Sequence, residues 1–353
     1  MIKNLSPAHI NRIKTIAWVS SAGVVIGILF ANIAFGFTIY RIIKGAAIGF
    51  LITSISSAAE IYFFPSKLKR LNFSIELSIR SLFYILVVTL STLIVVLLHE
   101  SMEDDAGLIT TIYGKDFNNF LRTDFIYIFI FAFFGSFILN FIWQINKMLG
   151  KGRLINLILG KYRRPKIETR VFMFLDLKSS TTLGEKLGAD RYSMLLQDFF
   201  YDLTDPVLET KGEIYQYIGD EVVLTWKEGK VPFNGKYLKC YFGIKEKINE
   251  RREYYSNKYG VIPEFKAGVH IGEAVVTEVG DVKKDIVFHG DVLNTAARIQ
   301  AQCSVLNQDL LVSDTALEKI NAVDKYSAKS MGIFKLRGKE NEVELFAVSK
   351  SHI

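Results

Sequence analysis

Apolar positions fall in two regimes along the 353-residue chain. Between residues 15 and 145 they gather into four long runs, at 15–37, 45–64, 78–98 and 125–145. Each is about 20 residues long and almost free of charge, the length a helix needs to cross a bilayer. Beyond residue 165 the runs shorten and alternate with helical patterns. Residues 171–175 (Val-Phe-Met-Phe-Leu) predict a buried strand that ends at Asp176, followed by a Lys/Ser/Thr turn and a helix over 182–204. Leu183, Leu187, Met194, Leu195, Phe199 and Leu203 form the apolar stripe of that helix. Residues 213–218 and 221–226 alternate as two strands across the Gly219-Asp220 turn. A helix over 235–258, strands at 264–271, 274–279 and 285–288, a helix over 293–303, and strands at 310–312, 332–336 and 342–348 complete the pattern. That order predicts an α-helical membrane domain followed by an α+β domain, an antiparallel sheet covered by helices. The expected boundaries are 1–146 for four transmembrane helices, 147–168 for a connector and 169–350 for the soluble domain.

Charge orients the membrane block. Lys3, Arg12 and Lys14 precede the first run, Lys67, Lys69, Arg70 and Arg80 fall between the second run and the first turn of the third, and Lys147, Lys151 and Arg153 follow the fourth. Loop 99–124 instead carries Glu100, Glu103, Asp104 and Asp105. By the positive-inside rule both termini and the soluble domain face the cytoplasm of a plasma (inner) membrane, against which Arg41 and Lys44 in the first outer loop count mildly. No small-residue cleavage site follows the first run, so it is expected to stay as a span. Glu60, late in the second run, reads as snorkelling to the interface or as a sensing group. Small residues, among them Gly23, Gly27, Gly45 and Gly49, permit close helix contact within or between subunits.

Composition changes this picture little. Half of the residues are hydrophobic, the net charge is +7, and no Lys/Arg block is dense enough for a nucleic-acid groove. Cys240 and Cys303 are isolated thiols that read as packing residues, and there is no Cys/His metal site. In the connector, Leu154, Ile155, Leu157, Ile158 and Leu159 form an apolar stripe before Lys161, Arg163, Arg164 and Pro165. A short amphipathic helix ending before the proline is expected, either lying on anionic lipid or coupling the membrane block to the soluble domain.

The candidate chemistry rests on Asp176 and Asp220, two carboxylates at strand ends. A carboxylate closing an apolar strand needs a partner, and a shared Mg2+ typically takes one or two carboxylates plus substrate phosphates. The Ser/Thr turn opening a helix after Asp176 can cradle phosphate through its N–H groups. Each aspartate alone is equally read as a cap or turn residue.

Three segments together carry a resemblance: Phe-Leu-Asp176-Leu-Lys-Ser-Ser-Thr-Thr, Tyr-Ile-Gly-Asp220, and Gly290-Asp-Val-Leu-Asn294-Thr-Ala-Ala-Arg298. In order and spacing, residues 165–350 resemble a class III nucleotidyl cyclase catalytic domain, and most of all the bacterial membrane-bound adenylate cyclases. The resemblance implies a homodimer with active sites at the interface between catalytic domains, and Asp176, Asp220 and the backbone of Leu177 holding two Mg2+ or Mn2+ per site. It implies Lys178, Ser179, Ser180, Thr181 and Thr182 around the phosphates, and Asn294 and Arg298 supplied by the opposite subunit to place the ribose and stabilise the α-phosphate. Lys339, in the Arg337-Gly-Lys339 turn, would meet the terminal phosphates. At the purine-selecting positions, where the family commonly has Lys and Asp, Thr or Ser, stand Gln216 and Val287, with Asp285 as a substitute on the same strand face. The implied activity is membrane-bound conversion of ATP to cyclic AMP and pyrophosphate. The alternatives are a guanylate cyclase using GTP, or a catalytically weak membrane signalling and dimerisation module.

Overall fold

A computed structural model describes residues 7–64, 71–103, 105, 107–150, 152–229, 233–319, 325–337 and 342–351. The chain divides into two units, 1–148 and 149–353.

In the first unit, α1 (Pro7–Phe35) and α2 (Ile39–Ala58) pack backbone to backbone. A Cβ built on Gly27 would lie 2.0 Å from the Gly45 carbonyl oxygen, and one on Gly49 would lie 2.1 Å from that of Gly23. The small residues therefore serve contact within the chain, as small-xxx-small surfaces do where helices must approach closely. Ser20 and Ser54 hydrogen-bond across the same seam at 2.8 Å. A π-helical turn (Ala59–Phe63) prolongs α2, and α3 (Phe73–Glu103) follows. Three helical stretches, Ile13–Ile33, Ile39–Phe63 and Phe73–Met102, are long and apolar enough to cross a membrane. The short helices α4 (Leu108–Ile112) and α5 (Lys115–Arg122) lead into α6 (Asp124–Leu149), a fourth long helix that is not one of those three.

Two charge assignments change. Arg80, expected as a cytoplasmic loop cation, is a buried residue of α3. Its guanidinium binds Glu76 at 2.9 Å, pairs with Glu60 and lies 4.5 Å over the Phe64 ring. Glu60 therefore does not simply snorkel: it accepts from Arg80 and from the Tyr84 hydroxyl, because a charge placed among packed helices needs an internal partner. Lys44, which counted against the topology, lies within α2 and pairs with Glu100 at 2.9 Å. Lys67, Lys69 and Arg70 lie outside the described residues.

The second unit opens with the connector helix α7 (Arg153–Ile158). It ends well before Pro165, because Gly160 takes φ 59° and the chain folds back. Lys161 N–H reaches the Asn156 carbonyl at 2.9 Å and Gly160 N–H that of Leu157 at 3.1 Å, the paired bonds of a glycine-terminated helix.

Strand β1 (Lys166–Leu177) then runs through the middle of an eight-stranded sheet. Its neighbours are β3 (Glu221–Lys227) and β4 (Phe265–Val279); β2 (Glu213–Ile218) lies outside β3. Beyond β4 come β6 (Leu310–Ser313), β8 (Val343–Lys350) and β7 (Tyr326–Phe334), while β5 (Asp285–His289) pairs with the end of β4. All pairs are antiparallel except β4 with β6, which the intervening helix α13 (Asp291–Val305) brings back parallel. The sheet is thus mixed, not purely antiparallel.

Both faces of β1 are covered, which is why it reads as a continuous apolar run. Val171, Met173, Leu175 and Leu177 enter a core with α9 (Ala189–Asp202) and α11 (Lys236–Glu250). Phe172 and Phe174 face a second core with Phe288 of β5 and Val292 and Ala296 of α13. The helix expected over 182–204 breaks at Gly188, φ 73°, into α8 (Ser180–Leu187) and α9. The short helix α10 (Thr204–Glu209) leads from α9 towards β2. The helix expected over 235–258 divides at Arg251 into α11 and α12 (Arg252–Tyr259). The strands expected at 264–271 and 274–279 are one, since Gly272 and Glu273 keep their ladder pairs with Arg170 and Thr169. Cys240 and Cys303 are buried and free, and burial pushes both thiols up to about 12.

Candidate active site

Asp176 stands at the end of β1, opposite Glu221 on one side and Lys266 on the other. Asp220 follows Gly219, whose φ of 63° makes the tight β2–β3 turn. Two residues 44 positions apart in sequence thus meet because β1 and β3 are ladder neighbours. They are close enough for the charge of Asp220 to act on the Asp176 carboxyl. The Asp176 carboxyl lies above the usual carboxylate range, through burial first and the Asp220 charge second. Like charges held this close favour a proton or a cation, so the donor set fits a hard divalent ion whose other positions are filled by phosphate and water. Among the described residues, no group of three or more His, Cys, Asp or Glu side chains forms a metal site by itself.

Three further groups stand at Asp176, none of them expected from the sequence. Gln300 donates from Nε2 to Asp176 Oδ2 at 3.0 Å. Lys266 Nζ lies 3.4 Å from the same oxygen and donates to Ser304 Oγ at 2.8 Å. Glu221 is a third carboxyl, pushed up to about 7 by burial and then by the charges of Asp176 and Asp220. Of these only Glu221 carried a local signal, its adjacency to Asp220.

The Ser/Thr turn after Asp176 is a helix start. Ser179 sits at φ 55° before α8, leaving the N–H groups of Ser180, Thr181 and Thr182 at the open end of the helix. Lys178 is turned elsewhere: its ammonium pairs with Asp309 and stands 3.7 Å from Glu264. Leu177 buries its side chain in the core.

Asn294 and Arg298 lie on α13, which begins at Gly290 with φ 147°, where a Cβ would stand 3.0 Å from the Glu273 carbonyl oxygen. They are one turn apart, whereas Gln300 is two residues beyond Arg298 and projects from nearly the opposite side. The helix thus turns Gln300 to its own Asp176, and no hydrogen bond or ion pair among the described residues joins Asn294 or Arg298 to either aspartate. Asn294 is exposed, and Arg298 Nη1 is buried without a hydrogen-bond acceptor. A buried donor left without an acceptor is the exception in folded proteins, and this one retains capacity for an anion.

Gln216 is exposed on β2 and Val287 half-buried on β5. Their neighbours bring the two strands together: the Tyr215 and Phe288 rings are 4.8 Å apart, and Phe288 N–H donates to the Tyr215 hydroxyl at 3.4 Å. Asp285 does not replace Val287. It pairs opposite Val279, and its Oδ1 accepts from Ile286 N–H at 2.8 Å and from Arg153 at 3.2 Å. Lys339 lies outside the described residues, and Arg337 is exposed.

Residues 163–350 match the family described as the adenylate and guanylate cyclase catalytic domain. Adenylate cyclase 2 of Rhizobium meliloti (strain 1021) is 32% identical over 209 residues, covering 59% of this chain and 58% of that protein. An adenylate cyclase of Anabaena cylindrica is 22% identical over 180 residues, covering 50% of this chain and 36% of that one. The chain thus spans well under two thirds of these relatives. The structure of a bacterial light-regulated adenylyl cyclase superposes with a TM-score of 0.51 at 19% identity, over 60% of this chain and 63% of that one, a likeness of fold.

Proposed function

The chain belongs to the adenylate and guanylate cyclase catalytic-domain family, and we propose that it converts ATP to cyclic AMP and pyrophosphate as a membrane-bound homodimer. The observation that carries this reading is the Asp176–Asp220 pair beside a helix start at Ser180. In the reaction the ribose 3′-oxygen attacks the α-phosphorus, the bond from that phosphorus to the bridging oxygen of pyrophosphate breaks, and the 3′-hydroxyl proton passes to water. Asp176 and Asp220, with the Leu177 backbone, would hold two Mg2+ or Mn2+, which when bound supply neutralisation of the triphosphate and a lower pKa for the 3′-hydroxyl. The N–H groups of Ser180, Thr181 and Thr182 orient phosphate oxygens, and Lys266 adds a cation at the same edge.

Asn294 and Arg298 complete the site of the opposite subunit. Their separation from the aspartates of their own chain and the free Nη1 of Arg298 support this arrangement. Arg298 would face charge developing on the α-phosphate, and Asn294 would fix the ribose. Gln216 and Val287 border the purine; a glutamine amide both donates and accepts, so it suits adenine and also leaves guanine open. The three apolar helices, with 124–149 as a fourth span, anchor the protein with the catalytic domain on the cytoplasmic side.

The test is to supply the full-length protein with ATP and with GTP, under Mg2+ and under Mn2+. Cyclic AMP as the main product supports the proposal. Cyclic GMP replaces the substrate while keeping the chemistry, and no product from either nucleotide favours the signalling-module reading.

A further inference from the structure

Arg153 opens the connector helix α7, and its guanidinium grips two strands of the catalytic unit at once. Nη2 donates to the Tyr215 carbonyl of β2 at 2.8 Å, and Nη1 to Asp285 Oδ1 of β5 at 3.2 Å. The guanidinium carbon lies 5.7 Å from the Tyr215 ring centroid. These attachment points stand beside the two purine-facing positions. Tyr215 immediately precedes Gln216, and Asp285 lies two residues before Val287 on the same strand.

The Tyr215 carbonyl can take Arg153 because of an irregularity in the ladder. Pairing of β2 with β3 passes from Ile214 opposite Leu224 to Gln216 opposite Val223, leaving Tyr215 as an extra residue. A bulge of this kind re-aims the side chains around it and removes one backbone group from the ladder. The Tyr215 ring packs on Phe288, the residue after Val287, so the strands carrying both purine positions are already in contact. Arg153 closes that contact from the connector side, and Leu157, one turn further along the same helix, packs against the second core.

On the cyclase reading of the site, we infer that Arg153 is a positioning residue for purine selection: by bridging the Tyr215 bulge and Asp285 it fixes the placement of Gln216 relative to Val287. Neither side chain discriminates adenine from guanine strongly by its own chemistry. Their spacing therefore decides which base edge is met, and the connector sets that spacing. A planar guanidinium reaches two acceptors in fixed directions, which a lysine ammonium on a flexible stem does not.

The experiment uses full-length protein carrying Arg153→Ala, Arg153→Lys or Asp285→Asn. kcat and KM are measured for ATP and for GTP at one fixed metal concentration, together with the melting temperature. The expected result for Arg153→Ala is a change of about tenfold or more in the ratio of kcat/KM for the two purines, carried mainly by KM, at an unchanged melting temperature. Lysine should not restore the ratio, and Asp285→Asn, which replaces the ion pair of one arm of the clamp with a weaker neutral hydrogen bond, should shift it in the same direction by less. If Arg153→Ala is poorly folded, Asp285→Asn decides. An unchanged ratio, including an equal loss with both purines, shows Arg153 to be only an anchor of the connector and overturns this inference alone. A wild-type protein silent with both nucleotides overturns the cyclase reading and this inference with it.

Discussion

Gln300 holds Asp176: the amide Nε2 donates to the carboxylate Oδ2 at 3.0 Å across 124 residues of sequence. The helix that carries Asn294 and Arg298 therefore also braces the carboxylate at the end of β1. A hydrogen bond to a charged group contributes about 1.5–3 kcal/mol. Gln300→Ala should lower kcat/KM by about 10–100-fold and raise the Mn2+ concentration needed for half-maximal turnover. Gln300→Glu should be worse, because it adds a like charge beside Asp176. A metal titration of activity checks both.

Asp176→Ala and Asp220→Ala should each abolish cyclic nucleotide formation while leaving the dimer intact by light scattering. Co-expression of Asp220→Ala with Arg298→Ala should restore roughly a quarter of wild-type turnover, since half of randomly paired dimers are mixed and each mixed dimer carries one complete shared site. No recovery, with mixed dimers shown by differential tagging, would remove the shared-site arrangement.

Gly268→Ala should unseat α13. The new Cβ would lie 2.2 Å from Gln300 N, 2.6 Å from Gln300 Cα and 2.7 Å from the Ala296 carbonyl oxygen, all backbone atoms that cannot rotate away. A cost of about 3 kcal/mol or more is expected from overpacking against fixed backbone. A lower melting temperature accompanied by lost turnover is the predicted pair of observations.

The acidic site should make stability depend on pH and on divalent ion together. Glu221 is raised to about 7, and Asp176 is raised as well, so the folded state keeps protons that the unfolded chain releases. Where the folded state binds more protons, stability falls as pH rises, here from the ordinary carboxylate range through about 7. A divalent ion removes the repulsion only once the carboxyls are ionised. Mn2+ should therefore raise the melting temperature more at pH 8 than at pH 5, and Glu221→Gln should shrink the difference. Equal stabilisation at both pH values would contradict this.

What local pattern encodes was legible along the chain. The continuous apolar run before Asp176, the Gly219-Asp220 turn and the four-residue spacing of Asn294 and Arg298 depend on neighbours a few residues away, and each lies on the element expected for it. The glycines of α1 and α2 were recognisable as a close-packing surface for a similar reason. Periodicity and φ preference are short-range properties.

Tertiary structure decided everything that depends on which faces meet. Gln300 reaches Asp176 only because α13 lies over β1 and β4 with one particular rotation, which Gly268 permits, and Lys266 reaches it because the β1–β4 register sets the two residues opposite each other. Arg80, counted in sequence as a loop cation, became the buried partner of Glu60 once α3 started at Phe73. Arg153, read as part of a basic exit from the membrane, found the carbonyl left over by a one-residue slip in the β2–β3 ladder. Register, helix rotation and the pairing of charges between distant segments are fixed by packing the whole domain at once. A sequence read one window at a time displays the groups that need partners, and the folded chain selects which partners they receive.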